Sequence, residues 1–465
     1  MKHLPFFVYL QILQLEYYQL QKLLRWYLSH PFIFSLPQIT PLKITSKIKL
    51  LIILSIIQYF ALSWLFLDSY ISFYIFIFSL ILFFFTPLPL LLAVILLAPS
   101  ELILKNLKIQ KAKKLLVSVN PYTVGITGSF GKTTTKDFLF QILDSYAPTL
   151  KTTHSYNTPL GISQSILMGL TQHTKFFLAE FGAHYPGDIK TLSSLFPPQS
   201  AIITGIGPQH LERFHTIKNI LDTKFELAKH IKTNHLLLNF DNKYIKEYLD
   251  CHPHFQSAYT YSLVSPKATF FFSQFHFDQD GSVFTLNYQK QSFHFTSPVF
   301  GTGNLFNLIA AISQSILLKI PIETIQKSVA VLTPAPHRLE LVKIKRATVV
   351  DNTYSSNFDG FNQVMANLSS LKGSKALVTP GLVELGSQSN SFHQTLGQKA
   401  AVIFDEIFLI GKNSRTQNFA QGAKSVKPNI PINFITNHTD YWPLINQISA
   451  KFDWILLEND LPQNY

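Results

Sequence analysis

The sequence predicts an α/β protein in which two successive domains, each with a mostly parallel sheet, follow a transmembrane helical hairpin near the N-terminus. Three observations carry this prediction. Two long apolar runs occupy much of residues 48–98. From about residue 115, short β-rich runs alternate with helical stretches, as they do in parallel sheets. A glycine-rich loop lies in GITGSFGKTTTK, residues 125–136, directly after the first of these strands.

The composition fits a protein with a small membrane part and a large soluble part. Charged residues make up 14% of the 465 residues and hydrophobic residues 47%, which is too apolar for a purely soluble enzyme and too polar for a polytopic channel. The formal net charge is +13, but the chain shows no Lys/Arg-rich arm and no nucleic-acid-binding signature, so we expect no nucleic acid partner. The single cysteine, Cys251, excludes an intrachain disulfide and a cysteine-based metal cluster.

The N-terminal region is predicted to contain an amphipathic segment, residues 1–47, and a transmembrane hairpin, residues 48–98. In Leu10–Pro31, leucines and aromatic residues recur at helical spacing, which predicts a helix at the membrane interface or one packed on the soluble domain. The two predicted spans are Leu50–Leu67 and a run from Tyr70 to about Ala98. Each is long enough to cross ~30 Å of hydrocarbon as a helix.

Lysines flank both outer ends of the predicted hairpin. They are Lys43, Lys47, Lys49, Lys105, Lys108, Lys111, Lys113 and Lys114. By the positive-inside rule, both ends and the soluble domains lie on the cytoplasmic side of the cell membrane, with the turn at Asp68 outside. Membrane lipid is therefore an expected partner. Pro87 and Pro89 are expected to kink or end the second helix, leaving Leu88–Ala98 as a bent or re-entrant tail. The alternative is a hairpin buried in a soluble core.

Residues 115–333 are predicted to form a central P-loop domain, and residues 334–465 a second, Rossmann-like α/β domain. The segments TVGIT, FFLAE, AIITGI and HLLLN are strands of the first sheet. Polar and apolar residues alternate on both sides of Asp280-Gly281, which predicts an antiparallel hairpin and a third strand. Asn304–Lys319 is predicted to be helical, and the prolines of LTPAP mark the domain boundary. ATVVD, KALVT and EIFLIG are strands of the second sheet.

The glycine loop is predicted to bind nucleotide phosphates. A strand, a glycine turn and a helix N-terminus together direct backbone N–H groups and the positive end of the helix dipole at an anion. The lysine of the loop supplies a charge for the β- and γ-phosphates, and the hydroxyl that follows it suits Mg²⁺. Ile126 stands where the strict P-loop pattern has glycine, but the shorter form is intact. Its residues are Gly128, Ser129, Phe130, Gly131, Lys132, Thr133 and Thr134.

Four residues further along the chain are candidates for the same site. Glu180 ends the strand FFLAE, and an acid at the carboxyl end of a strand beside a phosphate loop is a plausible Mg²⁺ ligand. His210 follows the strand in ITGIGPQHLERF, Lys224 lies in DTKFELAKHI, and Asn157 lies in the turn-like stretch YNTPLGI. Taken singly, each has an ordinary structural explanation as a solvated or packed side chain.

The order and spacing of these segments resemble the central domain of the Mur ligases, which are ATP-dependent amide ligases of peptidoglycan precursor synthesis. The matching segments are GITGSFGKTTTK, YNTPLGI, EFGAHYPGDI, ITGIGPQHLERF and DTKFELAKH. Further on, GTGNLFNLIAA resembles the family's nucleotide-binding helix start, while PHRLE and DNTYSSNFDG resemble its hinge and the start of its C-terminal domain. TPGLVELG resembles a loop of the members that add D-alanyl-D-alanine. The resemblance covers about residues 115–425.

The resemblance implies an ATP site with two magnesium ions. Lys132, His210 and Lys224 would be the catalytic residues, and Lys132 with the loop amides would hold the phosphates. Thr133 and Glu180 would bind one Mg²⁺, while His210 would bind the second together with Lys224 as a carbamylated lysine. Further contacts to the nucleotide would come from Asn157, Asn304, Asn307, Arg338 and Asp351.

The resemblance also implies the reaction. A muropeptide carboxylate would form an acyl phosphate with ATP, and an amine such as D-alanyl-D-alanine would then displace phosphate. The acceptor would be UDP-linked or, because a membrane hairpin takes the place of the family's N-terminal nucleotide-gripping domain, lipid-linked. Three positions depart from the family pattern: Gly303 replaces a histidine, Asn352 replaces a second acid, and Tyr354–Phe358 replaces YNxNP.

Two other functions remain open at this point. One is a membrane-bound P-loop nucleotide switch or transporter ATPase, for which the chain lacks paired acids at the end of an apolar strand and an ABC-type signature. The other is a ligase-like protein that binds ATP without catalysis, and the presence of Glu180, His210 and Lys224 disfavours it.

Overall fold

The structure of the chain is a computed structural model. It describes residues 5–15, 23–24, 27–28, 44–64, 74, 87–153, 155–207, 214–231, 235–334, 336–353, 358–382, 389–435 and 442–458. These residues divide into two compact units, one ending at Lys108 and the other beginning at Ile109. The boundary falls inside a single long helix, so the two units are described in turn.

The N-terminal unit is helical. Its helices are α1 (Pro5–Leu15), α2 (Ser46–Trp64) and the first part of α3 (Leu88–Val119). Side chains from all three form one apolar cluster, which includes Phe6, Leu10, Leu13, Ile48, Leu51, Leu90 and Ala93. Helix α1 begins five residues before the expected start, and nearly every side chain from Phe6 to Leu13 is buried. This burial differs from the one-sided pattern of the expected interfacial helix, because α1 packs against other apolar helices.

Helix α3 corrects the prediction for the prolines. Pro87 precedes the helix and Pro89 lies in its first turn, where a proline costs little because its missing N–H would have no helical partner. The helix does not end near Ala98, and it continues past Pro99 to Val119. Residues 88–98 are therefore the first three turns of a continuous helix and not a separate re-entrant tail. The predicted boundaries at 98 and 115 both lie inside it.

The described helices of the first unit leave much apolar surface exposed. On α2, Ile53, Ile57 and Phe60 are more than half exposed. The exposed apolar side chains of α3 include Ile95, Leu96, Leu102, Ile103, Leu104 and Leu107. Within the described residues, α3 is the one helix that is long and apolar enough to cross a membrane, by length and composition alone. Most of residues 65–86, the centre of the predicted hairpin, lies outside the described part of the chain.

The second unit contains a nine-stranded sheet with the strand order β2-β3-β1-β4-β5-β6-β7-β8-β9. Its strands are β1 (Tyr122–Thr127), β2 (Thr149–Lys151), β3 (Phe176–Glu180), β4 (Ser200–Ile203), β5 (Leu236–Asn239), β6 (Tyr259–Ser262), β7 (Phe270–Asp278), β8 (Gly281–Tyr288) and β9 (Gln291–Ser297). The strands from β2 to β7 pair in parallel, and β7, β8 and β9 pair antiparallel. Both regions agree with the sequence analysis. The alternation of strands with helices predicts the parallel region, and the alternation of polar with apolar residues around Asp280-Gly281 predicts the antiparallel region.

Helices cover both faces of the first sheet. They are α4 (Lys132–Asp144), α5 (Pro159–Gly169), α6 (Asp188–Leu195), α7 (Ile217–Phe225), α8 (Lys243–Cys251), α9 (Thr302–Leu317) and α10 (Ile322–Ala330). Successive side chains of a strand point to opposite faces, so Phe177 and Ala179 enter one apolar cluster and Leu178 enters the other. Burial on both sides explains why these strands read as continuous apolar runs in the sequence.

The second sheet of this unit has the order β10-β11-β15-β12-β13-β14. Its strands are β10 (Glu340–Ile344), β11 (Ala347–Asn352), β12 (Lys375–Thr379), β13 (Glu406–Ile410), β14 (Ile432–Ile435) and β15 (Trp454–Glu458). Only the β10–β11 pair is antiparallel among these described strands. The helices between them are α11 (Phe358–Ser369), α12 (Ser389–Ile403), α13 (Ser414–Val426) and α14 (Trp442–Ile448). This arrangement agrees with the expected second α/β domain.

Asp453, just before β15, joins separate segments of the second sheet. Its carboxylate accepts from Arg346 at 2.6 Å and from the backbone N–H and hydroxyl of Ser374 at 2.8 and 2.9 Å. The hydrogen bond from Arg346, followed by those from Ser374, lowers the pKa of Asp453 to about 2. We expect Asp453→Asn to lower the free energy of unfolding by about 1 kcal/mol at pH 7, after allowance for solvent screening.

The sign of the pH dependence follows from the lowered pKa. Asp453 stabilises the fold above its pKa in the unfolded chain, near 4, and loses that contribution as the pH falls towards 2. The difference between wild type and Asp453→Asn in urea unfolding should therefore shrink between pH 4 and pH 2. Asp280→Asn is the control, because Asp280 forms an exposed ion pair with Lys343. Equal losses in the two variants at pH 7 would contradict the assignment.

Candidate active site

The glycine loop between β1 and α4 packs against the segment that follows β4. The Thr204 N–H donates to the Thr127 carbonyl at 2.9 Å, and the Ser129 N–H donates to the Gly205 carbonyl at 2.7 Å. The Ser129 hydroxyl also accepts from the Gly207 N–H at 3.1 Å. These bonds fix the loop at the carboxyl edge of the sheet, and they connect it to the chain that leads towards residue 210.

Gly131 occupies a position that other residues could not adopt without strain. Its φ is +82°, in the left-handed region, and a β-carbon there would lie 2.3 Å from Asn307 Oδ1. Helix α4 starts at the next residue, and the first N–H groups of a helix have no carbonyl of their own helix to bind. The conformation of Gly131 thus places these donors, and the positive end of the helix dipole, at the loop.

The ammonium group of Lys132 lies at the glycine loop, where it is predicted to bind phosphate. Its Nζ donates to the carbonyl oxygens of Gly128 and Ser129, at 2.9 and 3.1 Å. Burial lowers the pKa of Lys132, the Glu180 carboxylate opposes that shift, and Arg338 adds to it. The ammonium group is thus held at the loop by weak backbone acceptors, which a phosphate oxygen could replace.

Glu180 is the hydrogen-bonding centre of the site. Its Oε2 accepts from the Thr133 hydroxyl at 2.9 Å and from Lys136 Nζ at 3.2 Å, while Oε1 faces the Asn157 amide at 3.4 Å. The Glu180 and Lys136 side chains are almost completely buried. The hydroxyl and the carboxylate predicted as ligands of one Mg²⁺ therefore lie in direct contact. Both are oxygen donors of the kind that Mg²⁺ prefers.

Lys224 lies at the same site although it comes from another helix, α7. The side chain is buried, and burial lowers its pKa to about 7, with the charge of Lys132 adding to the shift. The carboxylates of Asp188, Glu180 and Glu226 act in the opposite direction. A lysine with this pKa is partly uncharged at neutral pH, and an uncharged amine is the form that reacts with CO₂.

One open cleft brings the predicted residues together. It has an empty volume of ≈ 390 Å³, and its lining includes Gly128, Ser129, Lys132, Asn157, Phe214 and Lys224. Thr133 and Glu180 lie next to the cleft, because the lining residue Asn157 donates to Glu180 and Thr133 donates to the same carboxylate. His210 lies outside the described residues, as does the segment 354–357 that departs from the family pattern.

The remaining predicted nucleotide contacts lie at the junction of the two sheets. Arg338 donates to the Thr134 hydroxyl at 3.3 Å, and the Asn304 amide donates to the Arg338 carbonyl at 2.8 Å. Asp351 Oδ2 lies 2.8 Å from Nδ1 of His337, and its other oxygen accepts from Thr353. Arg338, from the predicted hinge, therefore contacts helix α4 directly. The roles assigned to all of these side chains stay predictions.

The sequence reasoning missed Lys136 and Thr204. Lys136 lies one helical turn after Lys132, so it faces the same side of α4, and this spacing is the signal that could have identified it. Thr204, the residue after β4, donates a hydrogen bond from its hydroxyl to the Phe130 carbonyl. No local motif marks Thr204, because its contact depends on the pairing of β1 with β4.

Comparisons with known proteins confirm the resemblance to the Mur ligases. Residues 126–314 match the family described as Mur ligase middle domain. The UDP-N-acetylmuramoyl-tripeptide–D-alanyl-D-alanine ligase of Buchnera aphidicola is 27% identical over 308 residues, 65% of this chain and 65% of the relative. The enzyme of the same name from Bacillus subtilis is 27% identical over 361 residues, 75% of each chain. The chain thus spans less than two thirds of the length of the first of these relatives.

A solved structure shows the same fold. The MurF crystal structure from Acinetobacter baumannii superposes with a TM-score of 0.65 at 25% identity, covering 76% of this chain and 77% of that chain. The mixed α/β architecture with parallel sheets is therefore shared with MurF.

Proposed function

We propose that this chain, whose residues 126–314 form a Mur ligase middle domain, is an ATP-dependent ligase that joins a muropeptide carboxylate to an amine such as D-alanyl-D-alanine. The observation that carries the proposal is the convergence of Lys132, Thr133, Glu180 and Lys224 beside one cleft. The names of the Buchnera and Bacillus relatives support the choice of acceptor and amine.

The residues present fit the phosphates of Mg²⁺-bound ATP. Gly131 has the left-handed φ of +82° directly before α4, and the N-terminus of α4 supplies N–H donors. Lys132 would exchange its two carbonyl acceptors for phosphate oxygens. Thr133 and Glu180 would hold Mg²⁺, which when bound offsets the negative charge of the phosphates.

A second Mg²⁺ is proposed for Lys224 and His210. Carbamylation adds CO₂ to the uncharged amine of Lys224, releases a proton and leaves a carboxylate-like oxygen ligand. The pKa of about 7 supports this role, because the amine is available for the reaction near neutral pH. Without this modification a buried lysine beside Lys132 would repel a cation.

The proposed reaction has two steps. A carboxylate oxygen of the acceptor attacks the γ-phosphorus of ATP, and ADP leaves as the acyl phosphate forms. The amine nitrogen then attacks the acyl carbon, phosphate leaves, and the amine loses a proton as the amide forms. Lys132 stabilises the charge that develops on the transferred group. Arg338 and Asp351, at the junction with the second sheet, would contact the nucleotide and exclude water from the acyl phosphate.

We also propose that the protein is attached to the cytoplasmic side of the cell membrane through α3. In the first unit this helix exposes apolar side chains up to Leu107, and lysines begin at Lys105 and continue to Lys114. Apolar surface followed by a basic segment matches a bilayer with anionic headgroups. A membrane-attached ligase would have access to a lipid-linked muropeptide as well as to the UDP-linked form.

Amine-dependent phosphate release tests the proposed function. Purified protein with Mg²⁺ and ATP is assayed with UDP-linked and lipid-linked muropeptides, each with D-alanyl-D-alanine, single amino acids or ammonia. We expect phosphate release only when acceptor and amine are both present, with D-alanyl-D-alanine as the preferred amine. Clear preference for the UDP-linked acceptor would show that the enzyme does not use a lipid-linked muropeptide as its main substrate, and acceptor-independent release would overturn the ligase.

Vesicle flotation tests the membrane attachment separately. We expect the full chain to float with vesicles that contain an anionic lipid, and substitution of Leu96 and Ile103 by Asp to reduce the floating fraction, because both side chains are more than half exposed on α3. Asp at Ser118, an exposed residue of the same helix beyond the lysines, is the control. A full chain that stays with the soluble fraction would contradict the attachment.

A further inference from the structure

Lys136 is a buried charged residue that the proposed reaction does not use. Its side chain has no measurable exposure, it lies on α4 one turn after Lys132, and its ammonium group is 3.2 Å from Glu180 Oε2. The Glu180 side chain is 1% exposed, so this is a buried ion pair at the predicted metal ligand. Removing one partner of such a pair leaves an uncompensated charge in the protein interior.

The contacts of Glu180 show how the pair bears on the metal site. Lys136 and Thr133 both donate to Oε2, while the contact of Oε1 among the described residues is the long one with Asn157. The backbone N–H of Glu180 also donates to the Thr152 hydroxyl at 3.2 Å, which holds this end of the strand. The cation of Lys136 therefore balances the carboxylate at Oε2 inside the protein, while Oε1 is the oxygen in contact with Asn157, which lines the cleft.

We propose that Lys136 is a positioning residue that serves as the resident counter-ion of Glu180 and keeps the affinity of the site for free divalent cations low. A fixed positive charge next to the carboxylate repels an incoming cation, so the metal binds well only when it arrives with the phosphates of ATP. This inference rests on the proposed Mg²⁺ site at Thr133 and Glu180. It adds Lys136 as the residue that determines when a metal ion occupies this site.

Binding of Mn²⁺ alone, measured by isothermal titration calorimetry on the full chain without nucleotide, tests the proposal. We expect Lys136→Met to bind Mn²⁺ at least about tenfold more tightly than wild type, because the repelling charge is gone. The double variant K136M/E180Q should lose the tight binding. Lys151→Met is the matched control. Lys151 forms an ion pair at 2.7 Å with Asp137, which follows Lys136 on α4, and this pair does not include Glu180. Lys151→Met should bind Mn²⁺ like wild type.

Thermal unfolding is the second measurement, and it tests the proposal even when Lys136→Met is less stable than wild type. Lys136→Met should unfold at a lower temperature than wild type, and Mn²⁺ should restore most of the difference by replacing the lost positive charge. The double variant should recover stability without responding to Mn²⁺. A loss of stability in Lys136→Met that Mn²⁺ does not repair, or Mn²⁺ affinity equal to that of wild type, would overturn the role of Lys136.

These experiments distinguish a failure of the proposed ligase activity from a failure of the role proposed for Lys136. A protein that binds Mn²⁺ through Glu180 but never joins an amine to an acceptor would refute the ligase and leave the result for Lys136 standing.

Discussion

Replacing Lys224 with alanine is expected to lower the rate of amine-dependent phosphate release at least about a hundredfold, as expected for loss of a group that holds a catalytic metal. The physical reason is that the variant lacks the amine that would carry the carbamate. Added acetate or formate should restore part of the rate by placing a small carboxylate in the space left by the side chain. The measurement is the rate with and without the added acid, at saturating ATP.

Lys229→Ala is the control for this variant, because Lys229 lies five residues further along the chain and is exposed. It should keep the wild-type rate. Lys224→Ala with full activity would show that the lysine carries no metal ligand. Equal stimulation of wild type and Lys224→Ala by acetate would also contradict the carbamate.

The same lysine predicts the direction of a pH effect. With its pKa lowered to about 7, the Lys224 amine becomes charged as the pH falls below 7, and a charged amine does not react with CO₂. Protein equilibrated with bicarbonate at pH 8 should therefore be more active than protein equilibrated at pH 6, when both are assayed at once at one pH. Equal activities would contradict the assignment.

The second large effect is expected at the phosphate loop. Lys132→Met should lower the rate of phosphate release by about a thousandfold, since loss of a charge placed at the reacting group removes several kilocalories of transition-state stabilisation. The side chain is similar in length, so the loop keeps its packing against Thr204 and Gly205. Single-turnover measurement of ADP formation separates the chemical step from product release.

Lys175→Met is the control for Lys132→Met, because Lys175 is an exposed lysine just before β3. Its rate should equal that of wild type. A Lys132→Met protein that loses affinity for ATP but keeps its maximal rate would show that the lysine acts only in binding.

Much of the fold could be predicted because its signals are local. The strand before the loop, the glycines and the helix after them follow one another directly in residues 122–144, and the alternation around Asp280-Gly281 marks the hairpin of β7 and β8. Strand β15 was not predicted. It lies between β11 and β12 in the sheet, although it is the last of the described strands. Its place depends on pairing between distant segments, which no local pattern records.

The site residues also divide into those that a local motif marks and those whose contacts depend on distant segments. Lys132 and Thr133 lie within the loop motif, whereas Glu180 and Lys224 gained their assignments from the order of segments shared with the Mur ligases. Lys136 was missed because its partner is 44 residues away, across the edge of the sheet. The long helix α3 was not predicted as one element because Pro87 and Pro89 look like breaks, while in the structure Pro87 precedes the helix and Pro89 lies in its first turn.

Transfer of ¹⁸O from the acceptor tests the central claim most directly. The acceptor muropeptide is labelled with ¹⁸O in its reacting carboxylate and incubated with the protein, ATP, Mg²⁺ and D-alanyl-D-alanine, and the released phosphate is analysed by mass spectrometry. The proposed acyl phosphate predicts one ¹⁸O atom in each phosphate released with the amide. Phosphate that carries no label would mean that water attacks ATP, as in a nucleotide switch or transporter ATPase, and would contradict the ligase.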